Sequence, residues 1–289
     1  MSKLVVHPTA GESVYQRITP ESAGWQHLGM EARLMKKGET WSGYTGEYEY
    51  GFILLSGNYS VKTDKGSWST TNGRSSVFKG IAHSLYLPRH TEFSLTATSE
   101  LLDIAVGWTK AHDDFPARFK TPEEAAIEIR GGENASRQIN SLIEPGFGCS
   151  RLVAVEVYTP AGNWSSFPAH KHDVRKLGEN GELLEAELEE IYFYKIDKPG
   201  GFAIQQVYTD DRSLDEIARA ANNDAVLVPR GYHPVVALHG YNCYYLNFLA
   251  GSDQSLANTP DPAHNWIFNS WKFVDPRVPM VTAEMNNQP

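Results

Sequence analysis

Two histidines, His170 and His172, stand two residues apart in the stretch FPAHKHD. Successive side chains of a strand alternate faces, so these imidazoles share one side while Lys171 points to the other, which excludes that amine as a base beside them. Two same-side imidazoles are half of a metal site, and the remaining donors must converge from other strands. Glu190, which opens the run EIYFYKI, and His233, in the turn PRGYHP after an apolar run, are the donors on offer. Taken singly, each has a bland reading: a solvated strand pair, a solvated strand end, a hydrogen-bonded turn histidine. Their order favours the metal: H-x-H, then Glu at the head of a strand, then Pro-Arg-Gly-x-His after a further hairpin.

Glu190, Tyr192 and Tyr194 share parity, so a pocket that receives the carboxylate is walled by two phenols while Ile191 and Phe193 fill the opposite face. Glu189 has the wrong parity for the pocket. The segment from Val174 to Leu188 is polar and punctuated by glycine, and is expected to form an excursion near the mouth of the site. Its Glu182, Glu185 and Glu187 compete for the carboxylate role and rank below Glu190.

The elements that must position these groups are strands. A chain of 289 residues with 41% hydrophobic content holds one large β domain or two ordinary ones, and 14 Tyr, 7 Trp, 24 Gly and 16 Pro suit a turn-rich β protein better than a helix bundle. A net charge of -9 with scattered basic residues gives no footprint for nucleic acid. Two cysteines are too few for a disulfide framework. No stretch approaches the roughly 20 apolar residues of a membrane span, and the first residues lack an apolar signal core, so a soluble, cytoplasmic protein is expected.

Short apolar or alternating runs bounded by Gly, Asn, Asp or Pro recur: YGFILLSG, SLYLPRH, LLDIAVGW, RLVAVEVYT, EIYFYKI, GFAIQQVYT, AVLVPRGYH and NCYYLNFLAG. Such spacing predicts a β-sandwich or barrel. Helical candidates are TPEEAAIEIRGG, with Thr121 as N-cap and Pro122 at the first position, and SLDEIARAANN, where Ser213 and Glu216 form a capping-box pattern. The halves echo one another, with an acid leading an aromatic strand in EYEYGFILLSG and EEIYFYKIDKPG, and Pro-Arg after a later strand in LPRH and VPRGYH. An internal duplication is expected, joined across residues 110 to 145.

The histidine, glutamate and Pro-Arg-Gly-x-His order resembles the double motif of cupins. More narrowly, NWSSFPAHKHD, LEEIYFYKI, GFAIQQVYTDDRSLDE, VLVPRGYHPV and GYNCYYLNFLAG resemble the two-cupin family of 5-deoxy-glucuronate isomerases of bacterial myo-inositol catabolism, related to 5-keto-4-deoxyuronate isomerase. The resemblance implies an all-β bicupin of two jelly-roll barrels with a few short helices, an N-terminal cupin over residues 1–130 and a C-terminal cupin over 131–289. It implies one divalent ion (Zn, Mn or Fe) on His170, His172, Glu190 and His233. The gap between His172 and Glu190 is longer than in the generic motif, and Gln254 stands where Arg is the expected residue, so whether residues 252 to 260 contribute to the site stays open. In the first half the histidine positions hold Tyr44 and Gly46, so that cupin is expected to be metal-free. By analogy the protein is a homo-oligomer.

The implied substrate is an open-chain sugar acid with an aldehyde at C1, a hydroxyl at C2 and a distal carboxylate. A metal chelated by O1 and O2 would stabilise the enediolate as the proton moves from C2 to C1. Glu190, Tyr192, Tyr194 and a hydroxide on the metal stay open as the base, with Glu190 and Tyr192 taken as catalytic and Tyr194 as a substrate contact. The carboxylate calls for a planar fork donor, which points to Arg137, Arg175 or Arg230. The same ligands would suit a non-haem iron oxygenase, and a non-catalytic sugar-acid-binding cupin is the third reading.

Overall fold

The computed structural model describes residues 2–287. Each half of the chain forms a barrel of two facing antiparallel sheets. In the first half a six-stranded sheet runs in the order Arg118–Lys120, Ser84–Leu87, Tyr48–Ser56, Leu101–Lys110, Gly29–Lys36, Val14–Ile18. In the second a seven-stranded sheet runs Val5–Val6, Ala225–Val228, Leu188–Ile196, Cys243–Gly251, Val153–Thr159, Arg137–Ile143, Ile127–Arg130. The smaller sheets also match, Thr40–Tyr44, Glu92–Ala97, Tyr59–Thr63, Gly66–Ser69 against Trp164–Ser165, Val235–Ala237, Phe202–Tyr208, Asp215–Ala221. This is the bicupin architecture, and the repeated strand order is what the paired sequence runs express.

The halves exchange edges. Val5 and Val6, which precede the first barrel, pair with Val226 and Ala225 of the second. Arg118–Lys120 lies on the first barrel, against Tyr86, Leu85 and Ser84, although it leads towards the second. Ile127–Arg130 pairs with Arg137–Asn140 in the seven-stranded sheet, so the second barrel already receives a strand before residue 131. Near the end of the chain, the Asn286 carboxamide accepts from Ile81 N–H and donates to Ile81 C=O, tying residue 286 back to the first half.

The large sheets of the two barrels pack face to face. Ile53, Leu55 and Ala105 share one core with Ile191, Phe193, Leu246 and Phe248. The approach is close enough that a Cβ on Gly107 would lie 2.3 Å from the Phe248 ring, which is why the central strand carries glycine there. Across this contact the fully buried Arg74 pairs with Glu156 at 2.8 Å. Period-2 alternation puts the other face of each strand inside its own barrel: Tyr192, Tyr194 and Tyr245 in the second, Phe52, Leu54 and Val106 in the first.

Of the two helical candidates, TPEEAAIEIRGG gives a single 3₁₀ turn, Pro122–Glu124, with the Thr121 capping box, before turning extended. SLDEIARAANN is a strand, Asp215–Ala221, a correction to the helical reading. Its neighbour Phe202–Tyr208 offers a full seven-residue ladder, and alternation buries Ala218 and Ala220 while leaving Ile217 exposed, a pattern a helix would scramble. The expected cap does not form, since Ser213 Oγ donates to Asp211 and Glu216 accepts from Lys3 N–H.

Candidate metal centre and active site

The strand Leu188–Ile196 sits in the middle of the large sheet, between Ala225–Val228 and Cys243–Gly251. Its two faces do different things. Glu189 turns to the interface and accepts from the N–H groups of Gln26, His27 and Leu28 at 2.6, 2.8 and 2.9 Å. Glu190 turns into the barrel, where Asn247 Nδ2 donates to its Oε1 at 2.7 Å. His172 Nε2 lies 3.0 Å and His233 Nε2 3.3 Å from Glu190 Oε2.

The histidine tautomers follow from their second nitrogens. His172 Nδ1 donates to Leu188 C=O at 2.9 Å and His233 Nδ1 to Gly231 C=O at 2.8 Å. In the neutral rings that a metal needs, both Nε2 atoms present lone pairs to a carboxylate oxygen, and the buried His233 Nε2 has no hydrogen-bond partner among the described residues. Three acceptors converging with no hydrogen between them repel unless a positive charge lies among them. The donor atoms of His172, Glu190 and His233 all fall within 4.8 Å of one another, a group that could hold a metal ion. His170 is outside that circle but adjacent, its ring centroid 4.7 Å from that of His233 and 6.3 Å from that of His172.

The electrostatics agree with this picture. Burial pushes His233 down to about 3, helped by the neighbouring imidazoles, and His170 likewise to about 3, with His172 and Arg137 adding to the effect. Burial also opposes the charged form of His172, but its bond to Glu190 outweighs it and raises the pKa. Metal binding needs neutral imidazoles, which burial supplies at two of the three.

The cavity in front of these groups is walled by same-parity residues of five neighbouring strands, including Arg137, Tyr192, Tyr245 and Asn247. Arg137 is 8% exposed, donates through Nη1 to Phe167 C=O at 2.8 Å and Ala135 C=O at 3.3 Å, and has no carboxylate within ion-pair distance among the described residues. Desolvation pulls its pKa down. Tyr192 donates to or accepts from Ser166 Oγ at 2.9 Å, and burial followed by the Glu190 charge raises it well above the ordinary phenol value.

Other candidates are not in the cavity wall. Tyr194 is buried one ladder step deeper, its hydroxyl donating to Gln205 at 2.9 Å. Arg175 is half-exposed on the excursion and bonded to Asp253, and Arg230 lies on the outer side of the His172 wall, reaching Ser213. Adjacency to a ligand in sequence does not fix direction, and here the turn carries both guanidinium groups away. Glu185 is a structural acceptor for Asp173 N–H and Thr259 Oγ1. Residues unassigned from sequence also line the cavity: Arg130, in a fork with Glu128, and Tyr245, Ser166, Leu256 and Asn258. The last two, with the pairing of Thr259–Pro260 on His170–Lys171, bring the 252–260 segment to the site.

The family model of the KduI/IolB family matches residues 4–267. The chain belongs to the KduI/IolB family. A member described as 5-deoxy-glucuronate isomerase from Geobacillus kaustophilus (strain HTA426) is 38% identical over 273 residues, 93% of this chain and 97% of its own. One of the same description from Bacillus subtilis (strain 168) is 32% identical over 89% of this chain and 93% of its own. Among solved structures, an IolB-like protein from Salmonella typhimurium LT2 superposes with a TM-score of 0.87 at 38% identity, covering 92% of this chain and 99% of that one. Bacillus subtilis oxalate decarboxylase shares the bicupin fold alone, with a TM-score of 0.63 at 13% identity over 90% of this chain and 80% of its own. Among the described residues no helix is long and apolar enough to cross a membrane.

Proposed function

We propose that this member of the KduI/IolB family is a metal-dependent aldose–ketose isomerase converting 5-deoxy-D-glucuronate to 5-dehydro-2-deoxy-D-gluconate in myo-inositol degradation. One observation carries the reading: a single cavity, lined by His172 and Glu190 of the three-residue acceptor group that needs a cation, also holds a buried guanidinium that needs an anion. A sugar acid with a carbonyl at the other end meets both demands, whereas an apolar oxygenase substrate would leave Arg137 buried and unpaired.

His172, Glu190 and His233, with His170 beside them, would hold one divalent ion, Zn, Mn or Fe. When bound, such an ion supplies the Lewis acidity that makes a hydrogen next to a carbonyl labile. Arg137 receives the carboxylate through the guanidinium edge not used by Phe167 and Ala135. The reaction moves one proton from C2 to C1 and another from the C2 hydroxyl to the C1 oxygen. Glu190 Oε1, held by the Asn247 amide and turned from the imidazoles, is assigned the carbon proton. Tyr192, whose phenol burial keeps neutral, serves the oxygen proton.

The first barrel is assigned a metal-free, structural part. Register supports this: Tyr50 pairs with Leu87 just as Glu190 pairs with Val228, each partner leading into Pro, so tyrosine takes the place of the carboxylate. Trp41, Phe52 and Phe93 fill the interior, with ring centroids 5.3 to 5.5 Å apart.

The test is metal analysis of the purified protein together with NMR of deuterium exchange at C2 of 5-deoxy-glucuronate. About one divalent ion per chain, lost with C2 exchange in a folded His172→Ala variant, is the expected outcome. Exchange persisting in the metal-free variant, or oxygen consumption in place of exchange, refutes the proposal.

A further inference from the structure

Three hydroxyls on the cavity wall, and a fourth behind them, form one continuous chain. Tyr192 Oη lies 2.9 Å from Ser166 Oγ, Ser166 Oγ lies 3.3 Å from Tyr245 Oη, and Tyr245 Oη bonds in turn to Ser165 Oγ. Tyr192, Ser166 and Tyr245 all line the cavity that holds Glu190 and Arg137. They come from three separate segments, so no local sequence rule brings them together.

Packing alone does not require these hydroxyls. Tyr192 and Tyr245 are 1% exposed and their rings lie 4.8 Å apart, in a barrel core where phenylalanine would fill the same space without a polar atom to satisfy. Ser166 also occupies the left-handed region with φ 47°, a conformation that costs a non-glycine residue about 1 kcal/mol or more. The strained residue is the one whose oxygen bridges the two phenols.

We infer that Tyr192, Ser166 and Tyr245 form a neutral proton relay carrying the C2 hydroxyl proton to the C1 oxygen during isomerisation; the inference rests on the isomerase reading above. A hydroxyl is donor and acceptor at once, so each member can take a proton on one side as it releases its own on the other. The O2–H bond breaks and its proton goes to Tyr192 Oη. The Tyr192 proton passes to Ser166 Oγ, the Ser166 proton to Tyr245 Oη, and the Tyr245 proton to O1. As many O–H bonds form as break, no residue changes charge, and the carbon-bound proton travels separately from C2 to C1. Two phenols flanking one serine oxygen suit a substrate whose two reacting oxygens sit on neighbouring carbons.

Tyr245→Phe and Ser166→Gly test this, the second because glycine accepts the left-handed backbone while deleting the hydroxyl. In each, kcat for 5-deoxy-glucuronate should fall about 10- to 100-fold with KM within about 3-fold of wild type. The plot of rate against deuterium fraction of the solvent, bowed for the wild type by several protons in flight, should become linear. Tyr59→Phe, a buried phenol of the other barrel, should leave both unchanged. Wild-type kcat with a bowed plot in either relay variant, at wild-type metal content, overturns the relay while leaving the isomerase reading standing. A wild-type protein that neither isomerises the substrate nor exchanges its C2 hydrogen overturns both.

Discussion

The sharpest consequence of the site geometry concerns Arg137. Its guanidinium is buried, spends one nitrogen on two backbone carbonyls, and has no carboxylate in ion-pair range among the described residues. Two N–H groups on the free edge can meet a substrate carboxylate as a bidentate pair, each bond to a charged group contributing about 1.5–3 kcal/mol. Burial removes solvent screening, so removing the pair should cost about 3–5 kcal/mol, which at 1.4 kcal/mol per decade is roughly 100- to 4,000-fold in kcat/KM. Arg137→Met keeps the apolar stem and deletes the fork; Arg137→Lys keeps a charge but only a point donor, and should recover about half of the loss. The assay is a cycle: wild type and Arg137→Met are each measured with 5-deoxy-glucuronate and with its carboxamide. Wild type should prefer the acid by the full factor, and Arg137→Met should barely distinguish the two. Arg175→Met, which removes a half-exposed partner of Asp253 on the excursion, should change kcat/KM less than about 2-fold. Equal discrimination by wild type and Arg137→Met would refute the assignment of the carboxylate to this residue.

Glu189→Ala strands the N–H groups of residues 26–28 and should lower the unfolding free energy by about 2–4 kcal/mol in urea titrations, with metal content of the folded fraction unchanged; loss of metal without loss of stability would show that parity was misjudged. His83 is a buried histidine outside the metal site whose pKa burial pushes down to about 4. Its folded value lies below its unfolded one, so between about pH 6.5 and 4 the unfolded chain binds a proton that the folded chain refuses, and stability falls as pH falls, by about 1.4 kcal/mol per unit. The stability difference between wild type and His83→Asn should therefore shrink with that slope on acidification and stay flat above pH 7; a flat difference throughout contradicts it.

Much of this was legible because strands report themselves by alternation. The runs around Ile53, Leu85, Val155 and Phe193 are apolar on both faces since each strand is covered by its own barrel and by the other half. Parity in the sequence separates Glu190 from Glu189, and the two carboxylates do point to opposite faces. What was not legible depends on register. NCYYLNFLAG offers Tyr244 and Tyr245 as equal claimants, and only the pairing of Tyr245 with Tyr194 and Val157 tells which phenol enters the barrel. Arg130 reaches the cavity because its edge strand pairs Arg130 with Arg137, a contact no local pattern announces. The helical reading of SLDEIARAANN failed because alanine and a capping pair are local preferences, and a seven-residue ladder outweighs them.

The two halves have kept one carboxylate and diverged at its neighbour. Glu49 and Glu189 occupy matching places by register, and each accepts three successive backbone N–H groups from the other half: Ser150, Arg151 and Leu152 at 2.7 Å for Glu49, and residues 26–28 for Glu189. The next residue in each strand turns inward, and there one barrel has Tyr50 among aromatic rings while the other has Glu190 among imidazoles. The strand that bears Glu190 and Tyr192 is thus fixed on its outer face by Glu189, Ile191 and Phe193 against the other half. The proposed ligands and relay hydroxyls, which must hold their geometry to about 0.5 Å, require such rigid backing. The first half is therefore part of the site: it immobilises the strand from behind, and loosening that contact should blur the site geometry before it unfolds the chain.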